Sequence, residues 1–171
     1  NEKYYLLKKN VSIISDNFEL KADFVKAYFD KDLYDIFKIE SETDVILKSS
    51  KGILAKGDKI NFSTKNENIT IKGNNSSLTY GNIYMFSQDL VKVDNLNGNF
   101  LIKGNGAELK TDSIHIFGSL IKGNFVTIDK VNEVEKLYVE DDKQANIKTE
   151  NINMFAKKAN YNKQDNIIEL F

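Results

Sequence analysis

The chain has no cysteine, no proline, no tryptophan and no arginine. Two of these absences close off chemistry. Without cysteine there is no disulfide, no thiolate metal ligand and no thiol nucleophile. Without arginine there is no bidentate guanidinium recognition of phosphate. Any anion must be met by lysine point charges or backbone N–H groups, and all 24 basic residues are lysine. His115 is the only histidine, so metal ligation there would need carboxylates from elsewhere. It reads as a surface-facing residue, on the strand face opposite Ile114 and Ile116. No phosphate-cradling or dinucleotide-binding glycine motif and no nucleophile elbow is present. Neither a cofactor nor catalysis is expected. A net charge of −1 offers no electrostatic case for nucleic acid. No stretch approaches the ~20 apolar residues that span a bilayer as a helix.

What is present is a foldable composition. Hydrophobic residues make up 41% and charged residues 29%, with 11 Phe and 8 Tyr. That suits one domain with a substantial core, read here as a single unit over 1–171. Asn1-Glu2-Lys3 looks like an interior start, and Ile167 to Phe171 reads as a strand without its following turn. The expectation is a fragment lacking an N-terminal signal and C-terminal strands.

Apolar and polar residues alternate along most of the chain, the period of a strand with one buried face. Examples are Ile60 with Phe62, Ile69 with Ile71, Leu78 with Tyr80, Phe100 with Ile102, and Ile114 with Ile116. One tetrapeptide occurs three times, at Ile71-Lys72-Gly73-Asn74, Ile102-Lys103-Gly104-Asn105 and Ile121-Lys122-Gly123-Asn124. Gly-Asn tolerates positive φ and predicts a turn after each. Asn95-Leu96-Asn97-Gly98 is a further hairpin signal, and Asp141-Asp142 reads as another turn. Asp16 to Ala27 fits both a helix and a strand period. Strand is preferred because its neighbours are strands. Turn signals this frequent predict an all-β fold of repeated hairpins.

A longer repeat overlies this pattern. Asn61-Phe62-Ser63, a polar turn and Asn68-Ile69-Thr70-Ile71 match Asn160-Tyr161-Asn162, a turn and Asn166 to Leu170. Ala27 to Ile39 is a looser third copy. In this unit Ala156, Ala159, Tyr161, Asn166, Ile168 and Leu170 resemble the OstA-like repeat of the LptA family of lipopolysaccharide transport proteins. Ala55, Phe62, Asn68, Ile71, Gly73 and Asn74 resemble it again.

The resemblance implies an open antiparallel β-jellyroll, two sheets folded into a V with an apolar lumen. It implies a periplasmic protein of Gram-negative outer-membrane biogenesis. Such a protein carries lipopolysaccharide, holding its lipid A acyl chains in the groove, and bridges inner to outer membrane. The implied acyl-chain residues are Phe62, Ile71, Tyr80, Phe100, Ile102, Ile116 and Tyr161. The implied partner-strand edges are Val11, Ile13, Ile168 and Leu170, used for head-to-tail self-association and contact with other jellyroll components. Two alternatives stay open: the membrane-anchored LptC type, and a structural or adhesive β-solenoid. The same inward residues would also fill the dry core of any sandwich.

Overall fold

A computed structural model describes residues 3–30, 35–129, 131–165 and 167–171. Among these residues the regular structure is entirely strand. In chain order the strands are β1 (Lys3–Ile14), β2 (Phe18–Phe29), β3 (Ile36–Ser49), β4 (Ile53–Ser63), β5 (Ile69–Lys72) and β6 (Ser76–Tyr80). They continue as β7 (Ile83–Ser87), β8 (Leu90–Asp94), β9 (Asn99–Lys110), β10 (Ile114–Ile128), β11 (Val131–Thr149), β12 (Asn153–Asn162) and β13 (Ile167–Leu170). Every pairing is antiparallel. The ambiguous segment from Asp16 to Ala27 is strand β2. The looser third repeat runs through Lys31 to Tyr34, which lie outside the described residues.

The main path is β1-β2-β3-β4-β5-β8-β9-β10-β11-β12-β13, with β6 and β7 bridging β4 to β9. The bridge closes a ring of six strands, β4-β5-β8-β9-β7-β6. The protein is therefore all-β and antiparallel, with a closed centre and strands added outside it, and not clearly an open V. The ring closes because two long strands change partners midway. Lys59 to Phe62 of β4 face β5, whereas Ile53 to Lys56 face β6. Asn99 to Lys103 of β9 face β8, whereas Glu108 to Lys110 face β7.

Register breaks align across the flanking strands. They fall between Lys8 and Val11 in β1, Lys21 and Phe24 in β2, and Glu42 and Val45 in β3. On the other side they fall between Gly118 and Leu120 in β10, and Glu140 and Ala145 in β11. A bulge bends its strand and sharpens the local twist, so a row of bulges folds the sheet along a line. Lys9, Asn10, Thr43 and Asp44, in or next to these breaks, have φ of 68°, 49°, 70° and 51°.

This row corrects the expected turns. Of the three Gly-Asn copies, only Gly73-Asn74 turns the chain, between β5 and β6. Gly104-Asn105 lies inside β9 and Gly123-Asn124 inside β10. Gly104 has φ +123°, which a side chain rarely adopts. Gly123 has a different reason. A Cβ there would lie 2.1 Å from the Lys136 carbonyl oxygen and 3.0 Å from Phe100. Asp141-Asp142 likewise sits inside β11, where the Asp141 carboxylate accepts the N–H groups of Lys143 and Gln144 at 2.9 Å. Bulges and turns need the same permissive residues, so strands run to 19 residues where turns were expected.

Candidate functional site

Inward residues of all the long strands form one contiguous core. Phe62 is 2% exposed and packs edge-on against Phe18 at 5.8 Å. Ile71 lies opposite Ile60 and Val91, and Ile102 opposite Val91 and Ile121. Ile116 lies opposite Leu109 and Ile147. Ile71, Ile102 and Ile116 are inaccessible to solvent. Tyr80 and Phe100 meet through Phe125, with ring centroids 5.8 and 6.4 Å apart. These six expected acyl-chain residues share one interior, and it is packed. The seventh, Tyr161, is half-buried at its margin.

At that margin the interior opens. A groove of about 950 Å³ lies between the β9–β10 and β11–β12 turns on one side and the start of β11 and the β12–β13 hairpin on the other. Ile114, Val131, Val134, Tyr161 and Ile168 are its apolar lining, among mostly polar residues. Just inward, Ile116 and Ile147 pair across β10 and β11 and join the core. Of the expected residues, only Tyr161 and the edge residue Ile168 line the groove.

One wall is held by Asn132, only 4% exposed. Its backbone N–H donates to Asn82 Oδ1 at 3.1 Å, and its Nδ2 donates to the Tyr80 carbonyl at 3.1 Å. Its Oδ1 accepts from the Thr127 hydroxyl at 2.8 Å. Asn82 in turn donates to Asp112 at 3.2 Å. A buried amide with its groups bonded fixes geometry, whereas an unbonded one would be costly. The network ties the β6–β7 turn to the start of β11 and the β9–β10 turn. Sequence reasoning missed Asn132, Ile114 and Val134 as site residues. The one available signal was the Gly81-Asn82 turn.

The rim is balanced in charge. Lys110, Lys148 and Lys163 face Asp112, Glu133 and Glu150, and Lys163 pairs with Glu133. His115 Nε2 lies 2.6 Å from Glu108, and its ring packs on Phe117 at 4.2 Å. Burial, then the Glu108 carboxylate, pushes the Tyr84 hydroxyl up. Among the described residues no three His, Asp or Glu gather in a metal-binding group.

The terminal strands are edges. Among the described residues β1 pairs only with β2, and β13 only with β12. Val11 is buried, Ile13 and Ile168 are half-buried, and Leu170 is exposed. Ile168 and Leu170 lie opposite Tyr161 and Ala159, on the inward face of β13. On β1, Tyr4, Tyr5, Leu6 and Leu7 are exposed on both faces. Chemically, the groove can shield a short apolar chain and the edges can accept a strand. No protein-family model matches the chain, and neither does any curated protein.

Proposed function

We propose that the protein is a non-enzymatic lipid carrier of the LptA type, which takes lipopolysaccharide acyl chains into the groove at its carboxy-terminal margin. One observation carries this reading. The apolar face of β12–β13 runs outward from the core through Tyr161, Ile168 and Leu170, and among the described residues β13 pairs with β12 alone. Acyl chains offer only CH₂ groups. Each one buried contributes ~0.8 kcal/mol, so part of one chain gives useful affinity. The repeat that resembles the OstA-like unit forms this same hairpin. The reading places the protein in the periplasm of a Gram-negative cell, in contact with other jellyroll components through β1 and β13. The membrane-anchored LptC type, for which the resemblance implies the same architecture, stays the alternative. Uniformly antiparallel pairing does not favour a parallel-coiled solenoid.

The acyl site differs from the residue set first expected. Phe62, Ile71, Ile102 and Ile116 are already close-packed, and a chain reaching them would have to part the sheets. The first contacts are Tyr161, Ile168, Ile114 and Val134. Photo-crosslinking side chains at Tyr161 or Ile168 are expected to capture lipopolysaccharide. The same groups at Lys65 or Asn97, in distant turns, are expected not to. Equal capture at all four positions removes the groove from the reading.

A further inference from the structure

The outer face of β9–β13 carries a second concavity, on the side of the sheet away from the core. Register places Leu101, Lys122, Tyr138, Asn160 and Glu169 side by side across five strands. The adjacent row on that face contributes Asn99, Asn124 and Asn162. Together they line a trough of about 810 Å³.

We propose that this trough binds a neutral oligosaccharide, with Tyr138 as its platform and the four asparagines as its hydrogen-bonding edge. A sugar ring has two kinds of surface. Its hydroxyls both donate and accept, and a planar amide, which also does both, matches a pair of them. Its C–H face carries slight positive charge and is attracted to the negative face of an aromatic ring.

The trough offers both surfaces, and much of it is held in advance. Asn124 Nδ2 donates to Glu135 at 2.6 Å, which orients its carbonyl oxygen as an acceptor, whereas Asn162 donates from Nδ2 to Asp165 at 2.5 Å and accepts the Gln164 N–H at 3.1 Å, leaving one lone pair of its oxygen. Among the described residues the amides of Asn99 and Asn160 have no protein partner and are free to bond a ligand. The Tyr138 hydroxyl donates to Glu140 at 2.6 Å, and Lys122 Nζ lies over the ring, 4.8 Å from its centroid, so a sugar stacking on that face displaces the ammonium. Asn160 is the neighbour of Tyr138 on the other side of the row. Groups fixed before binding lose less freedom on binding. Charge argues against an anion, because Lys122 and Lys136 are matched by Asp165 and Glu169 in the same lining.

The test is an NMR titration of the full ¹⁵N-labelled chain with neutral hexasaccharides of glucose, galactose and N-acetylglucosamine, each to about 10 mM, above the ~1 mM dissociation constant of a weak site. Inorganic phosphate is the comparison probe. At least one sugar is expected to give saturable shifts confined to residues 99–101, 122–124, 136–138 and 160–162. Tyr138→Ala is expected to weaken binding about tenfold, the scale of one lost ring contact. Tyr138→Phe keeps the ring and is expected to retain most of the affinity, which separates platform loss from misfolding. Three flat titrations, stronger shifts with phosphate, or full affinity in Tyr138→Ala would each overturn the proposal. Lipid capture at Ile168 is expected to survive Tyr138→Ala, so failure here and failure of the acyl groove are told apart.

Discussion

Two hairpins of this molecule are built from the same sequence unit and end in opposite states. In β4–β5, Phe62 lies opposite Ile69 and Ile60 opposite Ile71. In β12–β13, Tyr161 lies opposite Ile168 and Ala159 opposite Leu170. Phe62, Ile69 and Ile71 are at most 2% exposed, whereas Leu170 is 45% exposed. The motif does not explain the difference, but the next strand does. β8 lays Val93 and Val91 beside Ile69 and Ile71, and among the described residues nothing pairs with the far side of β13. A strand's side chains are stabilised by cross-strand and facing neighbours, not by strand propensity alone. Among the described residues β12–β13 is thus the core hairpin with one neighbouring strand fewer.

The largest expected effect separates the two hairpins by stability. Phe62→Ala removes a close-packed ring and is expected to lose about 3–5 kcal/mol. Tyr161→Ala removes a half-buried ring at the margin and is expected to lose about 1 kcal/mol. Urea unfolding followed by circular dichroism measures both. Equal losses would mean that the carboxy-terminal hairpin is as tightly covered as the central one.

A second variant finds where the closed packing stops. Gly123 lies in β10, three strands in from the β13 edge. A Cβ there meets the Lys136 carbonyl at 2.1 Å and the Leu137 Cα at 3.1 Å, both backbone atoms that cannot swing away. Gly123→Ala is expected to destabilise by about 1–3 kcal/mol, as overpacking does. A neutral substitution would show that β10 and β11 are already loosely held, and the groove would extend deeper than Ile116.

Proline at matched positions tests the edges. Ile71→Pro puts a proline between two paired strands and is expected to unfold the ring. Ile168→Pro falls on the edge strand and is expected to leave the core largely intact while weakening association between copies, read by light scattering. Unchanged association in Ile168→Pro would remove β13 from the interface and leave the groove untouched.

Strands were legible in the sequence because the period of two is a direct consequence of backbone geometry. The alternation at Phe100 and Ile102, or Leu137 and Val139, matches their inward positions. Gly104-Asn105 and Asp141-Asp142 were misread as turns because a bulge asks for the same backbone freedom as a hairpin, and one strand alone does not distinguish them. Strand order decides the six-strand closure, and it is set by β4 and β9 changing partners, which no local pattern encodes. The site was legible only as a face. Alternation marks Phe62 and Tyr161 alike as inward, but whether an inward residue is covered depends on a strand elsewhere in the chain. Asn132 was invisible for a similar reason, since two of its partners, Tyr80 and Asn82, lie about fifty residues away.

The smallest expected effect concerns charge, and it again compares the two flanks. Each carries a tyrosine–glutamate–lysine cluster on the outer face. On one flank, Lys38 lies 2.7 Å from Glu40, and the Tyr28 hydroxyl donates to Glu40 at 2.8 Å. On the other, the Tyr138 hydroxyl donates to Glu140 at 2.6 Å, and Lys158 lies 3.1 Å away. The bond to Lys38, aided by Tyr28, holds the Glu40 carboxyl below its ordinary 4.5 against the opposing effect of burial. Tyr138, then Lys158, lowers Glu140 in the same direction. A carboxyl whose folded pKa is below its unfolded value contributes stability above the unfolded value, and loses it as pH falls through the folded one. Both contributions are therefore complete near neutral pH and fade below pH 4.5. Glu40→Gln and Glu140→Gln are expected to lower the urea midpoint at about pH 7 and to match the parent at about pH 3, where the carboxyls are protonated in either state. Glu40 and Glu140 are both half-buried, their side chains 32% and 34% exposed, so solvent screening is expected to keep both differences small. A difference that persists at low pH would assign the stabilisation to the uncharged tyrosine bond instead of the carboxylate charge, and the two flanks would then be equivalent.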